Sequence, residues 1–245
     1  MNLHNTGENG GRHFTFIGNK VYLNYYDYNL SLLDYNRKEI IAKDLLHIGK
    51  NNDYYDNELT DICYLKADNM LMLSHRKNGL YFYNLQSNTI QKIDWAAISP
   101  NFKSKARINS LIPTDQGVYI ASDVGLYFYS KTLNLINDLV DLKQPVREIF
   151  KVNDRNWYLG NDHIGLLDTG YSRIISKIPL DGLKINQVHV VNNVIYLTTY
   201  DKGVYVVNQT QSAIYPLPIK GPNHSFRQAD CNTVLGDTID GAEIG

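Results

Sequence analysis

The stretch Asp115-Gln116-Gly117-Val118-Tyr119-Ile120-Ala121-Ser122-Asp123-Val124-Gly125-Leu126-Tyr127-Phe128-Tyr129 decides the fold. It reads as a polar turn, a strand carrying an aromatic residue, a polar break, a small residue, and an apolar-aromatic strand. β-Branched and aromatic side chains suit a pleated, half-buried surface. The same order recurs at Val21-Tyr22-Leu23-Asn24 with Ser31-Leu32-Leu33-Asp34-Tyr35, and at Asn69 to Leu73 with Gly79-Leu80-Tyr81-Phe82-Tyr83. It recurs again at Asn156-Trp157-Tyr158-Leu159-Gly160 with Gly165-Leu166-Leu167-Asp168, and at Val194-Ile195-Tyr196-Leu197-Thr198 with Gly203-Val204-Tyr205-Val206-Val207.

The small residues opening the second strand, Ser31, Gly79, Gly125, Gly165 and Gly203, follow one another at intervals of 48, 46, 40 and 38 residues. A further 38 residues reach Gly241, after the weaker copy Thr233-Val234-Leu235-Gly236-Asp237. A period near 40 residues holding four short strands is the signature of a propeller blade. The remaining strands of each unit are also legible. Before the aromatic strand stand runs such as Ile108-Asn109-Ser110-Leu111-Ile112, Val146-Arg147-Glu148-Ile149-Phe150 and Ile185-Asn186-Gln187-Val188-His189. Gly18-Asn19, Asp68-Asn69, Asp115-Gln116-Gly117, Asn153-Asp154 and Asn192-Asn193 join the two as tight turns, with residues that tolerate positive φ. A fourth strand is expected at Leu133 to Ile136 and at Ile174 to Ile178, and a single helical turn at Trp95 to Ser99.

The expected fold is therefore all-β: a β-propeller of four-stranded antiparallel blades over residues 13–245, five full repeats and a partial sixth, preceded by a flexible segment at 1–12. A sheet with apolar residues on both faces must bury both against its neighbours. The anchor glycines are expected to permit a bulge or a close approach of backbone to the neighbouring blade. The unfinished sixth copy leaves edges that invite association, so the chain reads as part of a longer parent, with closure of six blades, one of them incomplete, as the competing reading.

Composition narrows the function. The 24 Lys+Arg and 25 Asp+Glu leave a net charge of −1, without the basic excess of a nucleic-acid binder. No apolar run approaches the length that crosses a bilayer. Met1 to Arg12 is polar and rich in Gly and Asn, unlike a secretion signal. The two cysteines, Cys63 and Cys231, fall four repeats apart and read as small buried hydrophobes. The 19 tyrosines fit two roles: half-buried strand residues, or a surface on which sugars stack. Nucleotide-binding, hydrolase and zinc-protease motifs are absent from the sequence. No cofactor or metal is expected; Asn161-Asp162-His163 reads as a solvated loop rather than a metal site.

Five copies in register carry a resemblance to a known family. The pairs Val118-Tyr119-Ile120-Ala121-Ser122 with Gly125-Leu126-Tyr127-Phe128-Tyr129, and Trp157-Tyr158-Leu159-Gly160 with Gly165-Leu166-Leu167, resemble the regulator-propeller repeat of bacterial two-component sensors. The resemblance covers residues 13–245. It implies the periplasmic sensor region of a membrane-anchored hybrid histidine kinase, a receptor that can be a homodimer and often detects oligosaccharides. The propellers of such receptors are often seven-bladed, which makes this chain a fragment of one; their β-sandwich, membrane helix and kinase residues have no counterpart in this sequence.

Propellers bind ligands where the loops between the second and third strands meet the connections between blades. The first set places Tyr25, Tyr26, Asp27, His75, Arg76, Asp123, Asp162, His163, Tyr200, Asp201 and Lys202 there, and the second adds Tyr54, Tyr55, Phe102 and Arg227. Aromatic rings stack on sugar C–H faces while charged and amide groups bond the hydroxyls, the mixture a polyol site requires. The leading expectation is a non-enzymatic oligosaccharide sensor. A protein-interaction or dimerisation scaffold without a small ligand would instead show a large exposed apolar patch. A propeller lyase or hydrolase would need converging acid/base residues, such as His75 with His163, and no motif supports one.

Overall fold

The computed structural model describes residues 14–25, 29–46, 59–76, 79–93, 107–131, 135–138, 144–171 and 173–217. They form five four-stranded antiparallel sheets, each with its strands in chain order. Sheet 1 holds β1 (Phe14–Ile17), β2 (Lys20–Tyr25), β3 (Asn29–Asp34) and β4 (Glu39–Ala42). Sheet 2 holds β5 (Leu59–Leu65), β6 (Met70–His75), β7 (Gly79–Asn84) and β8 (Thr89–Lys92). Sheet 3 holds β9 (Ile108–Pro113), β10 (Gly117–Ser122), β11 (Gly125–Ser130) and β12 (Leu135–Asp138). Sheet 4 holds β13 (Glu148–Val152), β14 (Arg155–Leu159), β15 (His163–Leu167) and β16 (Ile174–Pro179). Sheet 5 holds β17 (Ile185–Val191), β18 (Val194–Thr199), β19 (Val204–Asn208) and β20 (Ala213–Pro216). These are the meander blades of a propeller-type fold. The chain divides into two compact units, residues 1–149 and 150–245. No helix among the described residues is long and apolar enough to cross a membrane.

The two-sided apolar pattern is used as the repeat demands. In β6, Leu71 and Leu73 join the core shared with sheet 1, whereas Met72 joins the core shared with sheet 3. In β7, Tyr81 and Tyr83 face sheet 1 while Leu80 and Phe82 face sheet 3. The strand period of two thus divides one sheet between two cores. In the second unit, Trp157, Leu159, Ile164 and Leu166 of sheet 4 meet Val188, Ile195, Leu197 and Val207 of sheet 5. Cys63 is buried in the core between sheets 2 and 3 as a free thiol, and burial pushes its pKa upward. It behaves as the small hydrophobe expected.

The first strands depart from simple alternation. Leu59 and Ile62 lie three residues apart yet share one core, as do Ile108 with Leu111 and Ile185 with Val188. A register shift at Leu59/Asp61, at Ala121/Ser122 opposite β9, and at Ile185/Gln187 explains each case. A bulge inserts one residue and returns the next side chain to the same face. Aliphatic-x-x-aliphatic is thus the signature of these strands.

The turns follow expectation in four of five places. Gly18, Asn69, Asn153, Asp154, Asn192 and Asn193 all adopt positive φ. The fifth turn closes differently, with Thr114 and Gly117 bonded through backbone and the Thr114 hydroxyl. A recurrent device ends the third strands. Asp34, Asn84 and Asn208 each accept two backbone N–H groups through Oδ1, from residues two and three positions on.

Three expectations need comment. The fourth strand of sheet 3 is Leu135–Asp138, two residues later than read, because its register is set by pairing Ser130 with Leu135. The helical turn at Trp95–Ser99 and the sixth copy around Gly241 lie outside the described residues. The anchor glycines do not share one role. Gly79 and Gly203 close their loops at φ +86° and +80°, whereas Gly165 sits inside β15, directly opposite Tyr158. A Cβ there would stand 2.2 Å from the Tyr158 ring. The close approach is to a side chain of the same blade, not to the neighbouring blade.

This contact yields a test. Gly165→Ala overpacks the buried Tyr158 ring and is expected to cost about 1–3 kcal/mol in urea unfolding. Tyr158→Leu in the same chain should recover part of that loss.

Candidate functional site

Backbone bonds tie the loops between second and third strands to the connections between sheets. In the first unit, Asp123 N–H donates to Arg107 O at 3.0 Å, and Val146 N–H donates to Ser122 O at 2.8 Å. In the second unit, Leu180 N–H donates to Asp162 O at 2.9 Å, and Tyr200 N–H donates to Lys184 O at 3.1 Å. A further bond from Leu183 N–H to Leu180 O folds the connector upon itself. Residues 180–184 therefore bridge the loop of sheet 4 to the loop of sheet 5, and put Asp162 and Tyr200 on one edge of this unit.

Buried hydroxyls hold the loops in place. Thr199, fully buried, donates from Oγ1 to Gly203 O at 2.8 Å and accepts from Lys202 N–H at 2.9 Å. Ser122 does the same for the loop of sheet 3, donating to Gly125 O at 2.9 Å. The clamped loop leaves Tyr200 55% exposed, with Asp201 and Lys202 exposed beside it.

Sheet 4 carries the most defined polar array. Asp162 Oδ1 lies 2.6 Å from His163 Nδ1, and His163 Nε2 lies 2.7 Å from Tyr158 Oη. An ionised carboxylate can only accept, so Nδ1 carries the proton and donates to Asp162. In the neutral ring Nε2 then accepts from the Tyr158 hydroxyl. Tyr158 and His163 are buried, whereas Asp162 reaches solvent. The His163 hydrogen bond holds the Asp162 carboxyl below its ordinary value. Burial, reinforced by the Asp162 charge, pushes the Tyr158 hydroxyl up, so it keeps its proton.

The expected site residues are distributed unevenly. Asp123, Asp162, Tyr200, Asp201 and Lys202 are exposed, and Arg76 is half-buried. His75 is buried at the end of β6, its ring edge-on to Tyr81 at 6.2 Å. Asp123 accepts from Asn109 Nδ2 at 3.0 Å, and the same amide reaches Val146 O at 2.9 Å, so Asn109 braces both loop and connector. The structure corrects the reading of Asn161-Asp162-His163 as a solvated loop: His163 belongs to β15 and both its ring nitrogens are engaged. Tyr26, Asp27, Tyr54, Tyr55, Phe102 and Arg227 lie outside the described residues, as does the side chain of Tyr25. Sequence reading missed Tyr158, Asn109 and the connector 180–184. The signal for Tyr158 was the glycine opposite it.

Comparison with known proteins bears on the fold. No family model and no curated protein matches the chain. Solved structures do. The extracellular domain of a protein described as a hybrid two-component system of B. thetaiotaomicron, BT3049, matches 92% of this chain with a TM-score of 0.69 and 14% identity. The corresponding domain of BT4673 from the same organism matches 92% with a TM-score of 0.64 and 17% identity. PorZ, a surface component of the type-IX secretion system of Porphyromonas gingivalis, matches 84% with a TM-score of 0.59 and 16% identity. The chain spans 31%, 29% and 27% of those three structures, less than a third of each. At identities this low the structural likeness shows the shared propeller-type fold alone. Function belongs to sites placed on a fold, and these three proteins do not share one.

The array predicts a pH effect. Because the folded Asp162 carboxyl is depressed, its contribution is complete above the ordinary carboxylate pKa of about 4 and fades as pH falls through the folded value. Urea midpoints measured from neutral to acid pH should fall less steeply for Asp162→Asn than for the native chain. Tyr158→Phe, which strands His163 Nε2, should cost about 1–3 kcal/mol at neutral pH.

Proposed function

We propose that this chain is a non-enzymatic ligand-binding sensor module that recognises an oligosaccharide at the connector-side edge of sheets 4 and 5. The observation that carries the reading is Tyr200, an exposed ring on a loop clamped by Thr199, flanked by Asp201 and Lys202 and joined through the connector to Asp162. A rigid ring offers a stacking face, and adjacent carboxylates and an ammonium offer both acceptors and donors to hydroxyls. Likeness to extracellular domains of two-component systems supports a sensor role outside the cytoplasm, in a membrane-anchored receptor. Signal output would belong to other parts of such a receptor.

A second reading has its own observation. Leu33, which occupies the register position of Tyr83, is buried, whereas Tyr35, one residue past the end of β3, is 58% exposed. Phe14 and Phe16 on β1 are exposed beside it, with ring centroids 5.6 Å apart and Phe16 5.8 Å from Tyr35. This aromatic row on sheet 1 fits a protein-interaction scaffold.

Calorimetric titration with a panel of neutral and acidic oligosaccharides separates the two. The sensor reading expects saturable binding that Tyr200→Ala weakens about ten-fold, roughly 1.4 kcal/mol, with an unchanged melting temperature. Binding indifferent to Tyr200 removes the site assignment, and silence across the panel favours the scaffold.

A further inference from the structure

Between sheets 1 and 2 lies an open cleft of about 650 Å³, lined by Lys20, Leu32, Ala42, Leu45, Leu46, Tyr83, Asn88 and Ile90. We infer that this cleft is a binding site for a carboxylate bearing an apolar tail. Its volume falls within the roughly 300–1,000 Å³ of small-molecule sites, which combine apolar walls with a few placed polar groups. Here the walls are leucine, alanine and isoleucine from β3, β4, β8 and the chain after β4. That chain is fixed where Leu45 N–H donates to Leu30 O at 2.9 Å, and Leu46 is buried.

The polar groups select the sign of the ligand. The Tyr83 hydroxyl donates to Asn88 Oδ1 at 3.1 Å, which orients the amide and leaves its N–H groups to donate. Lys20 supplies an ammonium and forms no ion pair among the described residues. Asp34, its cross-strand partner, accepts the backbone N–H groups of Asn36 and Arg37 through Oδ1 and is not among the residues that line the cleft. No acidic residue lines the cleft. An ammonium and an amide donor over an aliphatic surface match an anionic head on an apolar tail. A neutral polyol would leave the Lys20 ammonium without a counter-charge. The site lies in the first unit and does not depend on the Tyr200 reading.

Octanoate and octanol, titrated below micellising concentrations into the whole chain, provide the test. Octanoate is expected to bind at one site, about ten-fold more tightly than octanol. Lys20→Met should remove that preference without changing octanol binding, while Ala42→Phe, which fills the cleft, should abolish both. Equal affinity for acid and alcohol, or octanoate binding that survives both substitutions, overturns the proposal. Should Ala42→Phe fail to fold, the Lys20→Met comparison decides alone.

Discussion

The structure depends on burying sheet faces against neighbouring sheets, and sheet 2 buries both of its own. A four-stranded meander exposes two apolar surfaces, and neither survives in water without a neighbour. At about 25 cal/mol per Å² of apolar surface removed from solvent, the faces of a sheet outweigh any hydrogen bond along its edge. Sheet 2 shows the consequence within single strands, where Leu71 and Leu73 serve one core and Met72 the other. Tyrosine suits this duty because its ring fills the core while its hydroxyl finds a polar rim: Tyr83 reaches Asn88 and Tyr158 reaches His163.

Face-to-face burial leaves the strand ends free, and the chain uses one end to build its loops. Clamps from Ser122 and Thr199, buried at the close of their strands, fix the turns that follow. Connector bonds then draw the next sheet to the same edge, as Leu180 and Lys184 do between Asp162 and Tyr200. The bulges in β5, β9 and β17 serve the same joint, since each shifts register beside the end of a second strand. Packing thus sets where the loops gather, and their side chains set what that edge presents.

Much of this was legible in the sequence. Strand order, turns and the division of apolar residues follow from periodicity two and from Asn and Gly at tight turns, because those preferences are local. What escaped was non-local. Ile185 and Val188 look like ordinary alternation broken once, and only pairing with β18 reveals the bulge. Gly165 resembled Gly79 and Gly203 in sequence, but its neighbour Tyr158 assigns it a packing duty instead. His75 and His163 were read as rim residues from their place in the repeat. Both are buried, because β6 ends with the first and β15 begins with the second. Exposure at a loop boundary is decided by one residue of register, which composition does not encode.

The central claim is that recognition occurs at the connector-side edge of sheets 4 and 5. Amide hydrogen exchange, followed peptide by peptide with and without a bound oligosaccharide, tests it most directly. The account predicts slowed exchange in residues 160–163, 180–184 and 199–203, with the interior of β18 unchanged. Slowing confined to residues 14–17 and 30–46, with none in those three segments, would contradict it.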